Sequence, residues 1–318
     1  MCYSAQVEHN LKLIAKLAAA KLDAEMFVDV FARRAEGEDI KLTKALEANF
    51  LKPTTTVEKR IAKSIASYHT EQIKQWETEL FKQKKRNADA QRSMKLKTTK
   101  KAENDLRVST NKIAWLKSKI ANIKRKSSKP DDGRIFPFWY APVVVEENGQ
   151  RWIRPMRYHL RMHGKPANTD QRFPGLYNAR RDNLERYWKS VFGQHHAVVL
   201  LTGFYENVAK HDFERRQLRK GEKPENLVLH FNPNPAHIML VACLWDRWEK
   251  KGETDLYSFA AITDEPPAEV AATGHNRCII PLQQHNLGAW LVPNGDVNLS
   301  YSLLDDRDRP YYEHQQVA

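Results

Sequence analysis

At Pro130 the spacing of apolar residues changes, and this divides the 318-residue chain into parts that must fold differently. Upstream, apolar residues recur at intervals of three and four, the period of a helix with one buried face. Downstream they come in short runs separated by polar, Pro-containing stretches, the pattern of strands joined by loops. Helical stripes followed by strand runs predict an α+β protein with a mostly antiparallel sheet.

In the first part, Val7, Leu11, Ile14, Leu17, Met26, Phe27, Val30 and Phe31 predict one helix over 7–35, with Gly37 near its end. A shorter helix over 41–51 is stopped by Pro53. Thr55, with Glu58 three residues on, forms a capping box that opens a long helix whose stripe is Ile61, Ile65, Tyr68, Ile73, Trp76 and Leu80. After polar sequence from 82 to 104, a similar stripe resumes at Val108, Ile113, Leu116, Ile120 and Ile123. Each stripe is too thin to be buried alone, so the two helices are expected to zip into an antiparallel hairpin. The turn at Asp131-Asp132-Gly133 leads into strands at 143–145, 151–153, 197–201, 227–229, 238–244, 258–262 and 278–280, with short helices near 183–192 and 287–291.

Charge is as unevenly placed as periodicity. Between Phe81 and Pro130 there are 17 Lys and Arg against 3 Asp and Glu, a balance of +14; of the chain's 52 and 39, that leaves 35 and 36 elsewhere, a balance of −1. The net charge of +13 therefore belongs to the hairpin. Concentrated positive charge attracts a polyanion through counterion release without reading sequence, and the competing reading is a solvated helical face that binds nothing. Apolar content of 41% and charged content of 29% exclude a disordered chain, and no stretch approaches the roughly 18 apolar residues of a spanning helix. Residues 1–8 carry no basic cluster before an apolar run, and Cys2, Cys243 and Cys278 lack the numbers for a disulfide framework and the paired spacing of a zinc site. These features predict a soluble cytoplasmic protein, without a membrane partner, metal or cofactor.

No G-x-G-x-x-G, Walker A, H-E-x-x-H, G-x-S-x-G or EF-hand pattern occurs. Three features bear chemistry instead. If Met1 is removed, Cys2 presents an α-amine and a thiol on adjacent carbons, with reference pKa values near ~8 and ~8.5. The amine can condense with an aldehyde to an imine, and the thiol can then close on the same carbon to a thiazolidine, an intramolecular step with a large effective molarity. In Leu201-Thr202-Gly203-Phe204-Tyr205-Glu206 a strand is expected to end at Gly203 and deliver an acidic group just after two aromatics. In Thr273-Gly274-His275-Asn276-Arg277 a histidine follows a glycine in a loop just before a strand and can shuttle a proton near neutrality.

Met1-Cys2, Asn178-Ala179-Arg180, Gly203-Phe204-Tyr205-Glu206 and the loop His275-x-Arg277-x-x-x-Pro281, in that order, resemble the SOS-response-associated peptidase (SRAP) family over residues 1–7 and about 134–293. Tyr140-Ala141-Pro142, Arg154 to Tyr158 and Ala242 to Trp245 are similar to further family stretches. The resemblance implies a twisted, barrel-like sheet with flanking helices, built from 1–7 and 131–318. It makes 8–130 a helical insertion carrying the hairpin at about 55–128. It also implies the substrate: abasic sites in single-stranded DNA, captured by a thiazolidine crosslink through Cys2 after autoproteolytic loss of Met1.

Residue by residue, the resemblance implies Cys2 as nucleophile and Asn178 as a hydrogen-bonding group near the amine or sugar. Glu206 becomes the acid/base beside Cys2, and His275 the proton carrier for the sugar hydroxyl. Arg180 and Arg157 are expected at phosphates, and Trp139, Tyr140 or Trp152 as stacking platforms for flanking bases. Departures from the family fall at Cys2-Tyr3-Ser4, where Cys-Gly-Arg is usual, at Trp139, where Asn is usual, and at Asn207, where Trp commonly follows. The hairpin is expected to add phosphate affinity, and it also offers a surface for a protein partner or self-association. Two rival readings use the same residues: an N-terminal-nucleophile peptidase or amidase acting in trans, and a non-catalytic basic module that binds nucleic acid.

Overall fold

The computed structural model of the protein describes residues 3–317. Their strands are β1 (Ser4–Val7), β2 (Lys21–Leu22), β3 (Arg134–Ile135), β4 (Tyr140–Glu147), β5 (Gln150–Tyr158), β6 (Asn178–Arg180), β7 (His196–Ala209), β8 (Asn226–Asn234), β9 (Met239–Trp248), β10 (Leu256–Asp264), β11 (Cys278–Ile279), β12 (Pro281–Leu282) and β13 (Tyr311–Val317). The helices of the first part are α1 (Leu11–Ala18), α2 (Ala24–Ala35), α3 (Lys44–Ala48), α4 (Thr56–Leu96) and α5 (Lys100–Lys124). The chain forms two compact units, one of residues 1–30, 39–52 and 130–318 and one of 31–38 and 53–129.

The first unit is an α+β fold on one mixed, mostly antiparallel sheet. Pairing runs β9–β10–β5–β4–β7 and returns from β7 to β9, a partial ring of strands. Among the strands of the described residues, only β2 with β5, β6 with β10 and the short β10–β5 contact pair in parallel, and one isolated parallel bridge joins Lys41 to Trp139. Alternate residues of these strands point inward, and Val143, Val145, Val199, Leu201, Phe204, Leu229, Phe231, Val241 and Phe259 form the centre of the core. The rim strands carry the beginning of the chain: β1 lies antiparallel to β7, with Ser4 opposite Tyr205, Ala5 opposite Phe204 and Gln6 opposite Gly203.

The helix expected over 7–35 is instead β1, α1, β2 and α2. Asn10 caps α1 by accepting from the Leu13 amide at 3.1 Å, and Ala19 closes it in the left-handed region at φ 48°. Lys21 and Leu22 then pair with Trp152 and Ile153, and Asp23 both accepts from the Met26 amide and holds Arg154 at 2.9 Å. Pairing of the chain with β5 and β7 outweighs a local helical pattern. The expected 41–51 helix is only α3, capped by Thr43.

In the second unit the capping box forms as read: the Glu58 amide donates to the Thr55 hydroxyl at 3.1 Å, and the Glu58 carboxylate accepts from the Thr54 and Thr55 amides at 2.6 and 3.1 Å. The hairpin is longer than its apolar stripe. Helix α4 continues through the polar stretch, because polar pairs replace apolar ones there: Arg86 with Asp105 at 2.6 Å, and the Asn87 amide donating to Ser109 and Thr110 at 2.9 Å. On α5 the buried residues Ala102, Ser109 and Leu116 recur every seven, a coiled-coil seam. No helix of the described residues is long and apolar enough to cross a membrane.

Candidate active site

Glu206 sits inside β7, which runs on through it to Ala209; the strand does not end at Gly203 as expected. Gly203 is a close-approach position instead: a Cβ there would lie 2.8 Å from the Phe231 carbonyl oxygen and 2.7 Å from His230 Nε2. Because Phe204 and Glu206 alternate with Tyr205, the carboxylate points to the interior side of the sheet, 1% exposed. A buried carboxylate demands a partner, and one arrives from a segment 69 positions away. His275 Nε2 lies 3.1 Å from Glu206 Oε2, and its Nδ1 is 2.9 Å from the Arg277 carbonyl oxygen. Nδ1 lies between the Arg277 carbonyl oxygen and the Arg277 amide, 3.3 Å away, which orients the ring so that Nε2 faces the carboxylate.

The loop that brings His275 in is held by Gly274, whose φ of +90° suits glycine and whose missing Cβ would stand 2.8 Å from Asp212 Cβ. Cys278, the residue after Arg277 and the first of β11, is buried; burial, then the Glu206 carboxylate, push its thiol pKa up. Burial does the same to Cys243. Neither thiol is a usable nucleophile. Cys2, with Met1, lies outside the described residues.

Asn178 opens β6, buried beside Ala261 of β10. The Tyr158 hydroxyl donates to its Oδ1 at 3.4 Å, and among the described residues its Nδ2 has no hydrogen-bond partner. Tyr177, one residue earlier, meets the ring of Tyr3 edge-on at 6.3 Å, so the Asn178 segment and the start of β1 are neighbours. Arg180 is half-exposed and ion-paired to Asp182, which also lies 3.6 Å from Arg277; Arg180 is thus joined to the His275 loop through one carboxylate.

Arg157, expected at a phosphate, is enclosed: it donates to Asp170 at 2.8 Å and to the His159 carbonyl at 3.1 Å. Arg161 shares the same carboxylate. Burial lowers the pKa of Arg157, against the pull of Asp170. Tyr140 is buried, and Trp152, half-buried on β5, lies six residues from Tyr158, about 20 Å along the strand. Trp139 is half-buried, and its ring contacts Phe136 at 5.9 Å. Tyr3 also touches Phe136 at 5.9 Å and is 44% exposed, so Tyr3, Phe136 and Trp139 form an aromatic ledge at the start of the chain. Arg134 lies over Phe136 and over Tyr205, and donates to the Ser4 hydroxyl at 2.9 Å. Tyr3, Phe136 and Arg134 were not legible as partners, because they meet only through β1–β3 pairing.

The family model described as SOS response associated peptidase (SRAP) matches residues 84–318. The chain belongs to this family. Membership ties it to the SOS response and suggests DNA-damage-related binding at abasic sites, with DNA as partner. None of the curated proteins matches it. Solved structures similar to it include a protein from Bacteroides thetaiotaomicron, at 15% identity and a TM-score of 0.47 over 58% of this chain and 78% of that one. A protein from Bordetella bronchiseptica has 15% identity and a TM-score of 0.45 over 58% and 87%. A phage-related protein from the same species has 20% identity and a TM-score of 0.43 over 58% and 81%. Among the described residues no group of three His, Cys, Asp or Glu side chains could hold a metal ion.

Proposed function

We propose that this SRAP protein captures abasic sites in single-stranded DNA as a covalent thiazolidine on Cys2, once Met1 has been hydrolysed away. The observation that carries the reading is the buried Glu206–His275 pair, 3.1 Å apart, whose Glu206 lies on the strand against which Ser4–Val7 pair. Cys2 immediately precedes Tyr3 in the sequence. Tyr3 in turn contacts Tyr177, next to Asn178.

In this reaction the α-amine adds to C1′ of the ring-opened deoxyribose, and the carbinolamine loses water to give an imine. The Cys2 sulfur then adds to the imine carbon: a C–S bond forms, the C=N electron pair moves to nitrogen, and nitrogen takes up the thiol's proton. One water leaves overall. Glu206 relays the protons of amine addition and dehydration, and serves the water that hydrolyses the Met1–Cys2 peptide bond. His275 accepts the proton of the C1′ hydroxyl as the sugar ring opens. Asn178, with buried Nδ2 donor capacity unspent among the described residues, holds the sugar in line. Arg180, at the surface beside Asp182, meets a flanking phosphate, and the ledge of Tyr3, Phe136 and Trp139 supports a flanking base. Arg157 acts from inside, positioning the His159 turn rather than touching DNA.

The test is incubation with an abasic-site oligonucleotide followed by denaturing electrophoresis. A heat-stable shifted band with the wild-type protein and none with Cys2→Ala is expected. Equal bands from both would overturn the proposal.

A further inference from the structure

The hairpin unit has an exposed tryptophan that the covalent chemistry does not use. Trp115, on α5, is 44% exposed, although its neighbour Leu116 lies in the buried seam. Lys112 Nζ is 4.2 Å from its ring centroid and Lys119 Nζ 5.5 Å, from one turn before and one turn after. With Arg107, Val108 and Asn111, Lys112 and Trp115 line a shallow, open hollow of about 460 Å³. A surface indole with two ammonium groups over its ring, on the segment that carries a balance of +14, has the two elements of a single-strand platform: a π face on which an unpaired base stacks in place of an ammonium group, and the displaced cations for its phosphates.

We infer that this face of α5 is a second binding site for single-stranded nucleic acid, with one base stacked on Trp115 and phosphates on either side of it on Lys112 and Lys119. The spacing suits this ligand. Seven residues of helix separate the two lysines, about 10 Å, which is the rise of about three stacked nucleotides at ~3.4 Å each. Duplex DNA, whose bases are already stacked, offers phosphates to the lysines and nothing to the indole. An acidic protein would satisfy the charge but not the exposed ring between two cations. The site reads no lesion and does not depend on the thiazolidine reading.

The experiment uses the full chain and an undamaged, fluorescein-labelled dT20 oligonucleotide, so that crosslinking cannot enter, with a 20-base-pair duplex as comparison. Base–aromatic stacking predicts that Trp115→Ala weakens dT20 binding by roughly five- to a hundredfold in anisotropy titrations, while duplex binding stays within about twofold. Trp115→Phe should recover most of the loss, and Lys112→Gln with Lys119→Gln should lower the salt slope by about two phosphates' worth. The ring is solvent-facing, so melting should stay at the wild-type temperature. Wild-type dT20 affinity in Trp115→Ala, or equal losses on dT20 and duplex, would overturn the inference. So would a change of oligomeric state in Trp115→Ala with dT20 affinity intact, which would make this face a contact between copies.

Discussion

Replacing Gly274 by alanine adds one methyl group three bonds from the His275 nitrogen, and the structure fixes what it meets. The new Cβ would lie 2.8 Å from Asp212 Cβ and 3.4 Å from both the Asp212 carbonyl carbon and Val208 Cγ1. Carbon atoms rest at about 3.5–4.0 Å, so the loop must retreat by roughly 0.7 Å or more. No flexible side-chain end can absorb this, since the obstruction is the base of a side chain on a helical turn. His275 moves with the loop, and its 3.1 Å approach to Glu206 opens to about 3.8 Å, beyond hydrogen-bond reach. Misplacement by about 1 Å costs up to a hundredfold in rate, so single-turnover crosslinking to an abasic oligonucleotide should slow by roughly ten- to a hundredfold. Forcing alanine to φ +90° and crowding the contact should also cost about 1–3 kcal/mol in urea denaturation. Adding Asp212→Gly removes the obstructing carbon: the rate should return to within about threefold of Asp212→Gly alone, while the backbone strain persists in stability. A Gly274→Ala protein that crosslinks at the wild-type rate, or a double variant that stays slow, would refute the geometric reasoning.

Three further outcomes follow from other parts of the first unit. Glu206→Gln keeps shape but removes proton transfer, so the crosslinking rate of protein already lacking Met1 should fall by about 10²–10⁴, and adding His275→Asn should cost less than its own single effect because the two side chains touch; full additivity would mean that they act independently. Asp170→Asn leaves Arg157 and Arg161 buried without their carboxylate and should destabilise by about 3–5 kcal/mol in urea denaturation, whereas a near-neutral result would mean the arginines are free to face solvent. Burial holds His9 and His159 at about 4 and His196 at about 3, below the unfolded value near 6.5; the stability of their neutral forms is fully present above pH 6.5 and lost as pH falls towards 4. At these three positions the unfolded chain then binds up to three more protons, a slope of about 4 kcal/mol per pH unit at its steepest, and a urea midpoint unchanged between pH 7 and 5 would contradict it.

What was legible in the sequence is what short-range chemistry decides. The Thr55–Glu58 box was readable because both its hydrogen bonds close within four residues. The hairpin's partner helices were readable from their stripes, but not the full length of α4, since the Arg86–Asp105 and Asn87–Ser109 pairs are polar and link residues about twenty apart. The break in the expected 7–35 helix depends on strands Trp152–Ile153 and Gly203–Tyr205, far beyond any local window. For the same reason residue identity pointed to Glu206 and His275 separately, while their 3.1 Å approach needed the fold. Side-chain environment was the least readable: Arg157, Tyr140 and Arg180 look alike as surface contacts in sequence, yet two of the three are enclosed. The aromatic ledge has no local signature, because Tyr3 and Phe136 are brought together only by the pairing of β1 with β3.

The central claim is that an aminothiol at Cys2 bonds to the aldehyde of an abasic site. Intact mass spectrometry of the protein after reaction with an abasic oligonucleotide, without any reductant, measures this directly. The account predicts one species whose mass is the chain without Met1 plus the oligonucleotide less one water, mapping to Cys2 on proteolysis. A retained Met1 in the crosslinked species, or attachment at a lysine, would contradict it.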